Sequence, residues 1–121
     1  MKETLQKYFQ AWLNADIEPL KTVFADEIVY SECYGPEYRG FSQILQWFAD
    51  WNKKGKVLRW DIVRIIEADR TAVAEWYFEC LYNDKTEGFN GVTVADFNSQ
   101  GKIIRLSEYQ SKAEHCFPYG E

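Results

Sequence analysis

A chain of 121 residues is long enough to bury one core and short for two, so residues 1–121 are read as a single domain. Hydrophobic residues at 46% exclude a disordered chain, and aromatics at 17% exceed the needs of packing, which leaves rings to line a ligand pocket. With 19 acidic against 14 basic residues, a net charge of −5 and no basic stripe, the composition argues against nucleic acid as a partner.

From Thr4 to Ala15, Leu5, Tyr8, Phe9, Trp12 and Leu13 repeat with the i, i+3, i+4, i+7 rhythm of a one-sided helix. The start "MKETLQKYFQ" lacks the apolar centre of a signal peptide, and no stretch reaches the roughly 18 apolar residues of a spanning helix, so a cytoplasmic protein without a membrane partner is expected. Asp16 is placed to cap a second, shorter helix carrying Ile17, Leu20, Val23 and Phe24, with Pro19 in its first turn. "EIVYSE" then reads as a strand, and Gly35, Pro36 and Gly40 punctuate a loop. A third helix is predicted over 41–54, with Phe41, Ile44, Leu45, Phe48 and Trp51 on one face, Trp47 beside it and Gly55 ending it.

After Gly55 the apolar period changes from 3.6 to 2. "KVLRWDIVRIIE", "TAVAEWYFECLY", "GVTVADF" and "KIIRLSEYQSKAEH" read as four strands, with turns at 68–70, 83–91 and 98–101. In "AEWYFEC", Ala74, Trp76, Phe78 and Cys80 share the side expected to face the core, and Glu75, Tyr77 and Glu79 the other. "NDKTEGFNG" is expected to be a surface loop, either a plain hairpin or a cover over an opening. Helices grouped ahead of strands indicate an α+β fold: a curved antiparallel or mixed sheet wrapped around three N-terminal helices, cone-shaped like a cystatin-type α+β roll, with room for a cavity. Cys33, Cys80 and Cys116 are odd in number and lack a Cys-x-x-Cys pair, so buried free thiols are expected rather than a disulfide framework or zinc knuckle.

This order, with "ADIEPLKTVFADEIVYSE", "PEYRG" ahead of a helix and "NSQGKIIRLSEYQS", resembles the nuclear transport factor 2-like superfamily, in its SnoaL-like and ketosteroid-isomerase-like branch. The resemblance covers nearly the whole chain and implies a cone that hosts isomerases, cyclases, epoxide hydrolases, dehydratases or binding modules, without a cofactor and commonly paired with a second subunit. It also implies a general-base carboxylate six residues after the aspartate of "F-A-D"; here that is Glu32, counted from Asp26. The isomerase tyrosine of the first helix aligns with Phe9, with Tyr8 adjacent, and the late-strand acid aligns with Thr93. Where the cyclases carry an aspartate after "E-Y", this chain has Ser111.

Glu32 is therefore the candidate catalytic residue. Tyr30, Glu32 and Tyr34 share one strand face, and a carboxylate walled by aromatic groups gains proton affinity. The alternative is a strand-end acid paired with Arg39. The five tryptophans, Trp12, Trp47, Trp51, Trp60 and Trp76, serve either as core or as an aromatic cage. Candidate ligand contacts on the helices and first strand are Phe9, Trp12, Trp47, Tyr30 and Tyr34; on the later strands they are Trp76, Thr93, Ser111 and His115. His115 is the only histidine, aligned at period 2 with Ser107, Tyr109, Ser111 and Ala113, which leaves too few ligands for a metal centre. The sequence points to a small apolar metabolite and isomerase- or lyase-type proton transfer at Glu32. The alternative is a non-catalytic ligand-binding or dimeric scaffold module, with a protein-binding adaptor as a third reading.

Overall fold

A computed structural model describes residues 1–120. Helix α1 (Lys2–Leu13) buries Leu5, Tyr8, Phe9, Ala11 and Trp12 along one stripe, the face that the apolar spacing predicts. It ends where Asn14 N–H reaches Gln10 O at 2.9 Å and Ala15 turns to positive φ. Asp16 does not cap the next helix: its carboxylate accepts the Glu18 N–H at 3.1 Å and holds the corner, and α2 (Leu20–Val23) is a single turn. The chain is already extended at Phe24, because the aromatic residue pairs into the sheet against Ile103 instead of continuing the helix. Strand β1 (Phe24–Ser31) therefore starts earlier than "EIVYSE" indicates, and the Gly-Pro loop after it contains a short strand, β2 (Glu37–Arg39).

Helix α3 (Phe41–Lys54) has the predicted bounds and buries Ile44 and Phe48, while Leu45 is exposed. Four long strands follow: β3 (Gly55–Ala68), β4 (Thr71–Tyr82), β5 (Lys85–Phe97) and β6 (Ile103–Ser111). The six strands form one sheet in the order β2-β1-β6-β5-β4-β3, antiparallel except where β1 runs parallel to β6. Strict alternation in β4 buries Ala72, Ala74, Trp76, Phe78 and Cys80 on the side the sequence assigns to the core. Irregularities at Val57/Arg59 and Ile62/Arg64 bend β3. α1 packs on β3 and α3 on β1, so the helices fill one side of the curved sheet.

One alternative is decided and one expectation fails here, for identifiable reasons. "NDKTEGFNG" is the plain hairpin and not a cover, with a turn shorter than 83–91: Asn83 and Asp84, both at positive φ, make a two-residue turn, and 85–91 continue as β5 paired to β4. The last strand stops at Ser111, leaving His115 outside the sheet and exposed. The three cysteines are free thiols, but only Cys80 is buried; Cys116 is exposed and Cys33 half-buried.

Candidate functional site

The sheet and helices enclose a chamber of about 50 Å³. Trp12 comes from α1, Trp47 and Trp51 from α3, Trp60 from β3, Trp76 and Phe78 from β4, and Phe89 from β5. Tyr30, Glu32, Cys33 and Glu108 supply the polar groups. Glu32, Trp47 and Trp51 also line an outer basin of about 370 Å³, shared with Tyr34, Tyr38, Asp50 and Glu87, so these three residues form the neck between the two spaces.

The deep wall is a hydrogen-bonded cluster. Tyr8 from α1 and Tyr30 from β1 bond to each other through their hydroxyls. Tyr8 also reaches Glu108 Oε2 at 2.9 Å, and Tyr30 reaches Oε1 at 2.6 Å. Thr93, paired directly across β5–β6 with Glu108, donates to Oε2 at 2.9 Å and accepts the Trp76 indole N–H at 2.8 Å. Gly91 makes room for Trp76, since a Cβ there would collide with the indole ring and with the Tyr109 carbonyl.

Counting protons bears on the charge state of this cluster. Four oxygen–oxygen contacts join Tyr8, Tyr30, Thr93 and Glu108, and the three hydroxyls supply three protons. A neutral Glu108 carboxylic acid would supply the fourth. Burial agrees, raising its proton affinity against the opposing pull of Tyr30, Thr93 and Tyr8. Burial, and next the Glu108 carboxyl, also push both tyrosines well above the usual phenol range.

Glu32 is different. It follows β1 directly, held by a turn in which its N–H donates to Pro36 O at 3.1 Å and its carbonyl accepts the Gly35 N–H at 3.2 Å. Its side chain forms no ion pair among the described residues; Arg39 pairs with Glu37 at 3.0 Å instead. Burial, then the Glu108 carboxyl, raise Glu32 to about 7. Beside it, burial pushes the Cys33 thiol up to about 12, so no thiolate nucleophile forms there at neutral pH.

The other candidate residues divide by position. Trp12, Tyr30, Trp47 and Trp76 line the chamber, and Tyr34 lines only the basin. Thr93 lies behind the wall as a partner of Glu108 and Trp76. Phe9 packs on Trp60 at 4.7 Å, and the adjacent Tyr8 carries the phenol of the cluster. Ser111 and His115 lie on an outer groove with Val63 and Tyr109, which shares only Trp76 with the chamber lining. Sequence reasoning missed Glu108; its signal was the period-2 step from the apolar Leu106 and its place opposite Thr93. Among the described residues, no group of three or more His, Cys, Asp or Glu gathers to hold a metal ion, and no helix is long and apolar enough to cross a membrane.

Comparison with known proteins supports this architecture. The sequence pattern of the SnoaL-like domain matches residues 5–106. Among curated proteins, none matches the sequence. A Catenulispora acidiphila protein with a ketosteroid isomerase-like fold, in complex with trimethylamine, superposes with TM-score 0.79 at 18% identity, over 92% of this chain and 86% of that one. An LEH-like epoxide hydrolase of M. tuberculosis gives 0.80 at 16% identity, over 90% of this chain and 80% of that one. An NTF-2 like protein of unknown function from Burkholderia xenovorans gives 0.77 at 18% identity, over 98% and 88%. At these identities the likeness concerns the fold.

Proposed function

Since the chain belongs to the SnoaL-like domain family, of nuclear transport factor 2-like fold, we propose that it binds a small, largely apolar molecule in the tryptophan-walled chamber and moves a proton on it, with Glu32 as general base. The observation that carries this reading is the state of Glu32: half-buried, without a cationic partner, raised to about 7, and placed at the neck where a ligand passes. A base of that affinity is half-ionised near neutrality, where it can both take and return a proton. In such a step a C–H bond next to a carbonyl breaks, the proton moves to a Glu32 oxygen, and the electron pair passes to the carbonyl oxygen. Return of the same proton at another carbon completes an isomerisation without a cofactor. Trp60 Nε1, buried in the wall without an acceptor, is a donor that a ligand oxygen would fill.

The second reading is a binding module without chemistry. What favours it is that the hydroxyls of Tyr8, Tyr30 and Thr93 are already committed to Glu108, so they are poor oxyanion donors. The trimethylamine complex of the Catenulispora protein also supports small-ligand binding by this fold. A metabolite thermal-shift screen followed by turnover assays separates the two. Glu32→Gln is expected to lose about 10²- to 10⁴-fold in rate; equal turnover by the variant removes the catalytic role. We further propose a homodimer, because the sheet leaves Val63, Ile66 and Tyr109 exposed; sedimentation velocity tests it.

A further inference from the structure

All five tryptophans of the chain, drawn from α1, α3, β3 and β4, line the one small chamber. Packing alone requires no such convergence. Tryptophan also has the most electron-rich face of any side chain, and it attracts cations within about 6 Å of the ring. The chamber's ionisable groups are all acids, Glu32 and Glu108 among them, and no lysine, arginine or histidine lines it among the described residues. The basin outside repeats the bias, with Glu32, Asp50 and Glu87 against Lys54 alone.

Size narrows the occupant. A volume of about 50 Å³, at ~10–15 Å³ for each water-sized group, holds a compact group of a few non-hydrogen atoms. An anion would meet two carboxyl groups and no cation. A neutral hydrocarbon would fill the space but leave Glu32 desolvated and unpaired. A cation with many N–H donors would find few acceptors, because both Glu108 oxygens are taken by Tyr8, Tyr30 and Thr93. A methylated ammonium group avoids each difficulty: methyl groups meet the indole faces, the charge is spread over them, and one carboxylate at the neck balances it.

We infer that the chamber selects a small methylated ammonium group, held by the faces of Trp12, Trp47, Trp51, Trp60 and Trp76 with Glu32 as its counter-ion. This rests on the chamber being the ligand site and adds the ligand's charge class. The test titrates the intact protein with tetramethylammonium chloride, with tert-butanol as a neutral analogue of similar shape, and with propanesulfonate as an anion, at constant ionic strength. Tryptophan fluorescence and indole N–H NMR shifts report binding. Saturable binding of tetramethylammonium at least about tenfold tighter than tert-butanol is expected, with no binding of the sulfonate. Glu32→Gln and Trp47→Leu, both at half-buried positions, should each weaken it severalfold while the melting temperature shows an intact fold. Tert-butanol binding as tightly as the cation would overturn the charge class and leave the pocket reading standing. Cation binding unaltered in both variants would place it elsewhere and overturn the inference. Saturable binding of none of the three would overturn the inference and count against the pocket itself.

Discussion

Glu108 and Glu32 line the same chamber, yet the sheet surrounds the first with three hydroxyl groups and leaves the side chain of the second with no hydrogen-bonded or cationic partner among the described residues. Both carboxyls have raised proton affinity, and burial is the leading cause for each. The consequences differ because the partners differ. Glu108 shares its proton with a closed cluster, so moving that proton means rearranging Tyr8, Tyr30 and Thr93 together. Glu32 can exchange its proton with solvent or ligand without disturbing anything else. Identical side chains thus become a fixed element and an adjustable one, and the difference arises from strand pairing rather than residue type.

The comparison breaks most decisively at Glu108. Glu108→Ala strands three buried hydroxyls and opens a void, and a stability loss of about 3–5 kcal/mol is expected in urea unfolding. Glu108→Gln keeps the shape and, like the neutral acid, offers both a donor and an acceptor, so its expected cost is only about 1 kcal/mol. A glutamine variant as damaged as the alanine variant would contradict the neutral-acid assignment.

Next in size is Gly91. A Cβ at this position collides with the Trp76 ring and with the backbone carbonyl of Tyr109, and the carbonyl cannot swing aside as a side-chain tip does. Gly91→Ala should cost about 1–3 kcal/mol. It should also perturb the Trp76–Thr93 hydrogen bond, visible as a shifted indole N–H resonance. A silent indole signal would mean that Trp76 does not depend on this glycine.

Glu32 gives the smaller, pH-dependent effect. Its folded value of about 7 lies above the ordinary 4.5, so between those values the folded protein holds a proton that the unfolded chain has released. Stability must therefore fall as pH rises from about 4.5 to about 7 and level off above that. Because the side chain is partly exposed, solvent screening limits the loss to on the order of 1–2 kcal/mol. Glu32→Gln should remove this slope and be the more stable protein at pH 8. Parallel wild-type and variant profiles would show that Glu32 titrates normally.

Much of this architecture was legible in the sequence, and the parts that were not share a cause. Local period sufficed for the face of α1, the limits of α3 and the alternation in β4, since each is decided by which residues lie one turn or two positions apart. Glu32 was found through the family resemblance, six residues after Asp26, with the period-2 face it shares with Tyr30 as support. Glu108 was not, because its partners are Thr93 one strand away and Tyr8 and Tyr30 from the first third of the chain. The outward Ser107, Tyr109 and Ser111 alternation drew attention to the wrong face of β6. Segment 85–91 misled through Gly88 and Gly91, which read as loop residues. Both make room for neighbouring rings, Tyr77 and Trp76, inside a continuous hairpin.

The smallest expected effect concerns the residues that the sequence favoured and the fold moved away. Ser111 ends β6 and His115 lies beyond it, both exposed on an outer groove that shares none of the chamber's carboxyl groups. Neither makes a side-chain hydrogen bond to the Tyr8–Tyr30–Glu108 cluster. Ser111→Ala and His115→Ala should each change stability by less than about 0.5 kcal/mol and leave tetramethylammonium affinity unaltered. His115 adds a sharper control. If tetramethylammonium affinity fell in His115→Ala but not in Glu32→Gln, the binding group would lie on the outer groove, and Glu32 would lose its place in the contrast with Glu108.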